Sequence, residues 1–208
     1  MTTPLGTVEI TERTERRVTL ARRTRESDVN VTLDLDGEGT TAIETGVGFY
    51  DHLLSSFGHH GLFDLEVQAN GDLEVDEHHT VEDVALVLGA AFAEALGDRS
   101  GIVRFGDATV PMDESLATAV VDIGGRPYAV VDLPFRGERV GALPLQLVEH
   151  AIEAFARTCG ATVHVRGAGR NDHHLAEAAF KALGRALRAA CEPDPRRRGV
   201  ASTKGSLG

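Results

Sequence analysis

Apolar and polar residues alternate along Val29-Asn30-Val31-Thr32-Leu33-Asp34-Leu35, and again along Phe63-Asp64-Leu65-Glu66-Val67-Gln68-Ala69. A period of two is what a half-buried strand requires. Val8 to Arg25 alternates apolar and charged residues in the same manner. Gly37 and Gly39 mark a turn into a further strand, Thr40 to Glu44. The pattern then turns helical. Phe49-Tyr50-Asp51-His52-Leu53-Leu54-Ser55-Ser56-Phe57 is amphipathic, and Gly58-His59-His60-Gly61 places glycine as a helix stop. Asn70-Gly71-Asp72 predicts a hairpin turn and Leu73-Glu74-Val75 a short strand. The apolar run Val84-Ala85-Leu86-Val87-Leu88 predicts a helix reaching about Leu96.

The second half rhymes with the first. Strands are expected at Gly101 to Phe105, Ala108 to Pro111, Ser115 to Asp122 and Tyr128 to Asp132. A helix follows over Leu145 to Phe155, then a strand over Ala161 to Val165, then a helix to about Ala190. In both halves the earlier helix carries an acid before a histidine (Asp51-His52, Glu149-His150) and a phenylalanine five residues later (Phe57, Phe155). This is an internal duplication with a period of about 100 residues, too long for a solenoid. The expected fold is α+β, with two half-domains, each a mostly antiparallel four-stranded sheet with two helices on one face. Residues 1–100, with an N-terminal arm, form the first half-repeat, 101–192 the second and 193–208 a tail. The two helix layers should pack together and bury Leu86, Leu88, Phe92, Phe155, Phe180 and Leu183. Pro193 and Pro195 end the last helix. The small, polar, basic run Ala201-Ser202-Thr203-Lys204-Gly205-Ser206 predicts a flexible tail unless something orders it.

Composition narrows the class. The chain has 208 residues, 42% of them hydrophobic, enough for a globular core. No apolar run reaches membrane-spanning length, and Met1-Thr2-Thr3-Pro4 lacks an apolar signal core. The net charge of -11 argues against a nucleic-acid partner. Two cysteines, Cys159 and Cys191, fit a reducing, cytoplasmic setting and no disulfide framework.

The chemistry lies in the histidines. Glu77-His78-His79-Thr80-Val81-Glu82-Asp83 opens one helix and Asp172-His173-His174-Leu175-Ala176-Glu177 opens another. Residues three and four apart share a helix face, so either histidine of a pair can meet the glutamate. Adjacent histidines lie about 100° apart around the axis and point to different places. With the histidine of the preceding helix, the duplication yields two sets: His52, His78, His79 and Glu82, and His150, His173, His174 and Glu177. Imidazole and carboxylate together suit Mn, Fe, Co, Ni or Zn better than Mg or Ca, and two ions would keep open positions for a substrate. One such cluster is also what an ordinary helix start contains; its recurrence argues for metal. His60 could face the site from a turn or two beyond His52, His59 is expected at the surface, and His164 fills a strand face.

At these residues the chain resembles imidazoleglycerol-phosphate dehydratase, over about Val8 to Leu207. The resemblance is carried by Gly48-Phe49-Tyr50-Asp51-His52, Phe57-Gly58-His59-His60-Gly61, Asp76 to Asp83, Gly101 to Gly106, Asn171-Asp172-His173-His174 and Ser202-Thr203-Lys204-Gly205. It implies two manganese ions per active site, one held by His52, His79, Glu82 and His173, the other by His78, His150, His174 and Glu177. It also implies sites between the subunits of a shell of about 24 copies. The implied substrate is D-erythro-imidazoleglycerol phosphate, a small phosphorylated imidazole, and the product is imidazole acetol phosphate. Glu26 matches a glutamate at the substrate and, with His60 as a second proton carrier, is the candidate acid–base group. Arg104 and Arg126 match phosphate-binding arginines, whose planar fork suits phosphate. Ser202, Thr203 and Lys204 match a tail motif that would close over the phosphate, and Lys181 lies one helical turn after Glu177. His52, His78 and His79 would also touch the substrate.

The duplication has a chemical rationale. The proton to be removed is unactivated, but an imidazole with a metal on each nitrogen becomes imidazolate. Imidazolate can expel the neighbouring hydroxide to give a diazafulvene, which acidifies the adjacent proton. Two nitrogens call for two ions. A metal-storage protein would need the histidines but no phosphate cations. A dinuclear hydrolase would favour bridging aspartates and would release phosphate.

Overall fold

The structure, a computed structural model, describes residues 8–207; the start of the chain, Met1 to Pro4, lies outside the described residues. The strands are β1 (Val8–Thr14), β2 (Arg17–Arg23), β3 (Ser27–Asp34), β4 (Thr41–Glu44), β5 (Asp64–Gly71), β6 (Phe105–Met112), β7 (Ser115–Asp122), β8 (Tyr128–Asp132), β9 (Arg139–Val140), β10 (Leu143–Pro144) and β11 (Thr162–Ala168). The helices are α1 (Gly48–Gly61), α2 (His78–Leu96), α3 (Gln146–Cys159) and α4 (Asp172–Cys191).

The duplication is visible in the sheets. One runs β1-β2-β3-β5-β4 and the other β6-β7-β11-β8. Apart from β1, the orders correspond strand for strand. Each is antiparallel except for one parallel pair, β4 with β5 and β8 with β11. The N-terminal arm supplies β1 and makes the first sheet five-stranded. Helices α1 and α2 lie on the first sheet, α3 and α4 on the second, and the helix layers meet as α2 on α3 and α1 on α4. The helices therefore pair across the halves.

Between the layers Phe57, Phe92 and Phe155 pack edge to face, with ring centroids 5.3–6.2 Å apart. Leu86, Leu88, Phe92, Phe155, Phe180 and Leu183 are all buried there. The crossings are close because of glycine. A Cβ on Gly89 of α2 would strike the Phe155 carbonyl oxygen of α3, and one on Gly184 of α4 would strike that of Phe57 on α1. Gly89 and Gly184 occupy the same position in the two halves, as do Phe57 and Phe155.

Three local expectations change. Leu73–Val75 is a turn, not a strand: Asp72 N–H bonds to Glu26 and Val75 N–H to Asp72, which reverses the chain into α2. Asn70 and Gly71 stay in β5, paired with Asp28 and Ser27. The strands expected at Gly101 to Phe105 and Ala108 to Pro111 are one strand, β6. Arg104 takes a left-handed φ of 79°, and the residues before it form isolated bridges, Ser100 with Val200 and Ile102 with Pro193. Those bridges fix the start of the tail against residues 100–104.

Candidate metal and substrate site

The two His-His helices begin alike. Asp76 Oδ1 accepts from His78 N–H at 2.8 Å, and Asn171 Oδ1 accepts from His173 N–H at 3.0 Å. In each case a short polar side chain two residues ahead satisfies an N–H the helix leaves orphaned. The β8–α3 connection straps across both starts. Arg139 Nη2 donates to both Glu77 oxygens at 2.9 Å, and the Asp172 carboxylate accepts from the N–H groups of Arg136 (3.0 Å) and Gly137 (2.6 Å).

Among the described residues, two groups bring three ligand atoms within 4.8 Å of one another: His52, His173 and Glu177, and His78, Glu82 and His150. In the first, Glu177 Oε2 lies 3.0 Å from His52 Nε2 and 3.3 Å from His173 Nε2. In the second, Glu82 lies 3.7 Å from His78 Nε2 and 3.5 Å from His150 Nε2. Each combines one histidine from the shorter helix with a histidine–glutamate pair four apart on the longer one, because α1 packs on α4 and α3 on α2. Two imidazoles and a carboxylate fit a divalent transition metal with positions to spare.

This grouping differs from both sets drawn from the sequence. The repeats do not each build a self-contained set, since each cluster draws on both halves. The split implied by the resemblance keeps its histidine pairs, His52 with His173 and His78 with His150, but exchanges its glutamates. Glu82 sits with His78 and His150, Glu177 with His52 and His173. The i, i+4 relation decides it, since a histidine and the glutamate one turn later stand above one another.

His79 and His174 point elsewhere. His79 Nδ1 lies 3.1 Å from both oxygens of Asp72, and His174 Nδ1 lies 2.9 Å from Glu114 Oε2. The hydrogen bond to Asp72 raises the His79 pKa, with Glu26 adding to it from nearby. The bond from His174 holds the Glu114 carboxyl well below the usual range. Asp72 and Glu114 do not stand out in the sequence, since Asp72 lies in the connection ahead of α2 and Glu114 lies 60 residues from its histidine. One signal was present: Glu114-Ser115 opens a strand in the second half just as Glu26-Ser27 does in the first.

Cations sit on both glutamates. Lys181 Nζ is 2.7 Å from Glu177 Oε1, and Arg157 Nη2 is 2.9 Å from Glu82 Oε1. Burial pushes Glu177 up, but hydrogen bonds from Lys181 and His52 outweigh it and bring it to about 2. His60, two turns beyond His52, is lowered first by burial and then by Lys181, so it stands beside the same cation. His59 and His164 are exposed.

The candidate phosphate residues lie far from these clusters within one chain. Arg104 pairs with Asp122 at 2.7 and 2.9 Å and donates to the Ala201 carbonyl at 2.5 Å, beside Ser202, Thr203 and Lys204. Its N–H bonds to the carbonyl of Ala190, at the end of α4 away from His173. At 1.5 Å per residue, His173 and Ala190 are about 25 Å apart along the axis. Arg126 is exposed, next to Gly125, whose N–H bonds to Gly160 at the end of α3 away from His150. Ten residues of helix, about 15 Å, separate His150 from that point.

A family model described as imidazoleglycerol-phosphate dehydratase matches residues 45–187, more than half of the chain. Curated proteins with that name are similar over most of their length. The one from Methanoculleus marisnigri is 54% identical over 89% of this chain and 96% of its own. The one from Thermoanaerobacter pseudethanolicus is 54% identical over 92% of this chain and 100% of its own. The solved imidazoleglycerol-phosphate dehydratase of Pyrococcus furiosus superposes with a TM-score of 0.78 at 37% identity, over 90% of this chain and 99% of that one. The Staphylococcus aureus structure gives 0.76 at 36% identity, over 84% of this chain and 98% of that one.

Proposed function

The chain belongs to the imidazoleglycerol-phosphate dehydratase family, and from that membership we propose that it converts D-erythro-imidazoleglycerol phosphate to imidazole acetol phosphate, a hydro-lyase step of histidine biosynthesis. The observation that carries the reading is the pair of two-imidazole, one-carboxylate clusters, His52/His173/Glu177 and His78/Glu82/His150. Two ligand groups suit a substrate whose ring has two nitrogens. The donor set fits a divalent transition metal, and we assign manganese to both groups from what the family resemblance implies. When bound at these residues, the ions would supply Lewis acidity that favours ionisation of the substrate's imidazole N–H and, with it, departure of the neighbouring hydroxide.

The chain's own residues supply the rest. Glu26, on the β2–β3 hairpin beside His79, takes the carbon-bound proton as general base. Its hairpin is fixed to α2: Ser27 Oγ donates to the buried Asp83, which also pairs with Arg22 at 2.5 Å, while the Thr24 hydroxyl accepts from the N–H groups of Glu26 and Ser27. His60, disfavoured as a cation by burial and Lys181, relays a proton or holds a substrate hydroxyl. Arg104, Arg126, Ser202, Thr203 and Lys204 bind the phosphate.

About 15 and 25 Å of helix separate His150 and His173 from the helix ends beside which Arg126 and Arg104 sit, which supports a site completed by other copies of the chain. His79 and His174, directed away from the clusters in their own chain, are the ligands that such copies would receive. Phe105, Leu116, Val120 and Tyr128 give the second sheet an exposed apolar outer face, where the first sheet carries Arg17, Asn30, Glu66 and Gln68. That face further supports assembly into a large homo-oligomer, with about 24 copies as the proposed number. Both cysteines are buried and unpaired, in keeping with the proposed cytoplasmic setting, and no helix among the described residues is long and apolar enough to cross a membrane. We assign residues 1–100, 101–192 and 193–208 as the two half-repeats and the tail.

The test is to purify the protein without chelator, measure its metals by mass spectrometry and assay the same sample for imidazole acetol phosphate. Two manganese per chain, with turnover lost on chelation and restored by manganese, is the expected result. Undiminished turnover after exhaustive chelation would overturn the metal assignment, and release of inorganic phosphate would point to a hydrolase.

A further inference from the structure

We propose that Glu114 is the positioning residue for His174, as Asp72 is for His79, and that the first half has moved this task off its hairpin, leaving Glu26 free for the substrate. Glu114 is bound on every side that matters. Its Oε2 faces His174 Nδ1 at 2.9 Å, while Oε1 accepts from the N–H groups of Arg170 (3.1 Å) and Asn171 (2.8 Å) and from Ser115 Oγ (3.0 Å). Asn171 in turn caps α4 through the N–H groups of His173 and His174. One carboxylate thus ties the β6–β7 hairpin, the helix start and the imidazole together. Asp113 lies farther from the same nitrogen, at 3.9 Å, and is 81% exposed. A carboxylate accepts, so the ring donates from Nδ1 and keeps its Nε2 lone pair for a ligand. His79 is held in the same tautomer by both oxygens of Asp72.

The strand registers identify the counterpart of Glu114. Ser27 pairs with Gly71, and Leu116 pairs with Ala168, which continues to Ser115 opposite Gly169. Glu26 and Glu114 each precede that serine, so they are topological equivalents. Yet His79 bonds to Asp72, from the β5–α2 connection, and not to Glu26. That connection has six residues (72–77) in the first half, against three (169–171) between β11 and α4 in the second. The longer loop supplies its own carboxylate.

The inference rests on His79 and His174 being metal ligands, so one readout is independent of metal. In crystals of the metal-free protein, Glu114→Gln should shift or disorder the His174 ring and leave His79 in place, while Asp72→Asn should do the converse. In solution, manganese titrated against each variant and followed by the electron paramagnetic resonance of the free ion should show one of the two bound ions weakened about 10–100-fold. Glu26→Gln should bind both ions within twofold of the wild type while losing turnover. A His174 ring unmoved in Glu114→Gln would overturn the positioning role. Equal loss of manganese affinity in Glu26→Gln and Glu114→Gln would overturn the division of labour. If the wild type binds no manganese but His174 still moves, the metal reading fails and the positioning stands.

Discussion

The two halves copy each other's topology and differ in how they hold their hairpins. Strand order, the parallel pair, the helix crossings and the glycines at those crossings all correspond. The β6–β7 hairpin is fastened by Glu114, which reaches the α4 start and its histidine. The β2–β3 hairpin is fastened by a buried ion pair, Arg22 with Asp83, to which Ser27 Oγ donates. At the positions of Arg22 and Asp83 the second half has Val110 and Ala178. A duplication therefore preserves what the core requires and allows the polar hardware to diverge. Where the fastening is done by Asp83, the hairpin glutamate, Glu26, does not hold the histidine of the neighbouring helix start, which bonds to Asp72 instead.

Substitutions at equivalent positions sharpen this contrast. Glu26→Gln should lower kcat by about 10²–10⁴-fold, the range for loss of a general base, with little change in thermal stability. Asp83→Ala should cost about 3–5 kcal/mol in urea denaturation, because breaking a buried ion pair leaves a charge poorly compensated. Ala178, at the position of Asp83, carries no charge to strand, so Ala178→Gly should cost only about 1–2 kcal/mol, the helix-propensity difference plus one buried methyl. Gly89→Ala and Gly184→Ala should each cost about 1–3 kcal/mol through overpacking, and by similar amounts, since the crossings are copies. A large difference between them would mean that the halves are less alike in their packing than in their strand order. Val75→Ser should be close to neutral, because Val75 lies in a turn and is 65% exposed.

What was legible in the sequence was local or periodic. The alternation over Val29 to Leu35 and the bounds of Ser115–Asp122 and Tyr128–Asp132 follow from side-chain period alone. The repeated helix starts exposed the candidate ligand histidines because the duplication printed them twice. Leu73 to Val75 has strand-like residues, but the hydrogen bond from Asp72 N–H to Glu26 bends the chain away. Arg139–Val140 and Leu143–Pro144 are too short to leave a periodic trace. The distribution of Glu82 and Glu177 between clusters depends on which helices pack across the halves, which no spacing within one half records. Asp72 and Glu114 reach their histidines through loops, where separation along the chain carries no geometric meaning.

The central claim is that a complete site needs more than one copy of the chain, and mixing two inactive variants tests it. His52→Ala removes a ligand from the His52/His173/Glu177 cluster, and His79→Ala removes a histidine held outside both clusters. Each variant alone should be inactive. Dissociated, mixed and reassembled with manganese, they should recover up to about a quarter of wild-type turnover. Sites would then form wherever an intact cluster from one chain meets an intact His79 from another, as statistical mixing in a symmetric assembly allows. A mixture no more active than its components, with mixed assembly verified by mass spectrometry, would place both histidines in a site built by a single chain and contradict the account.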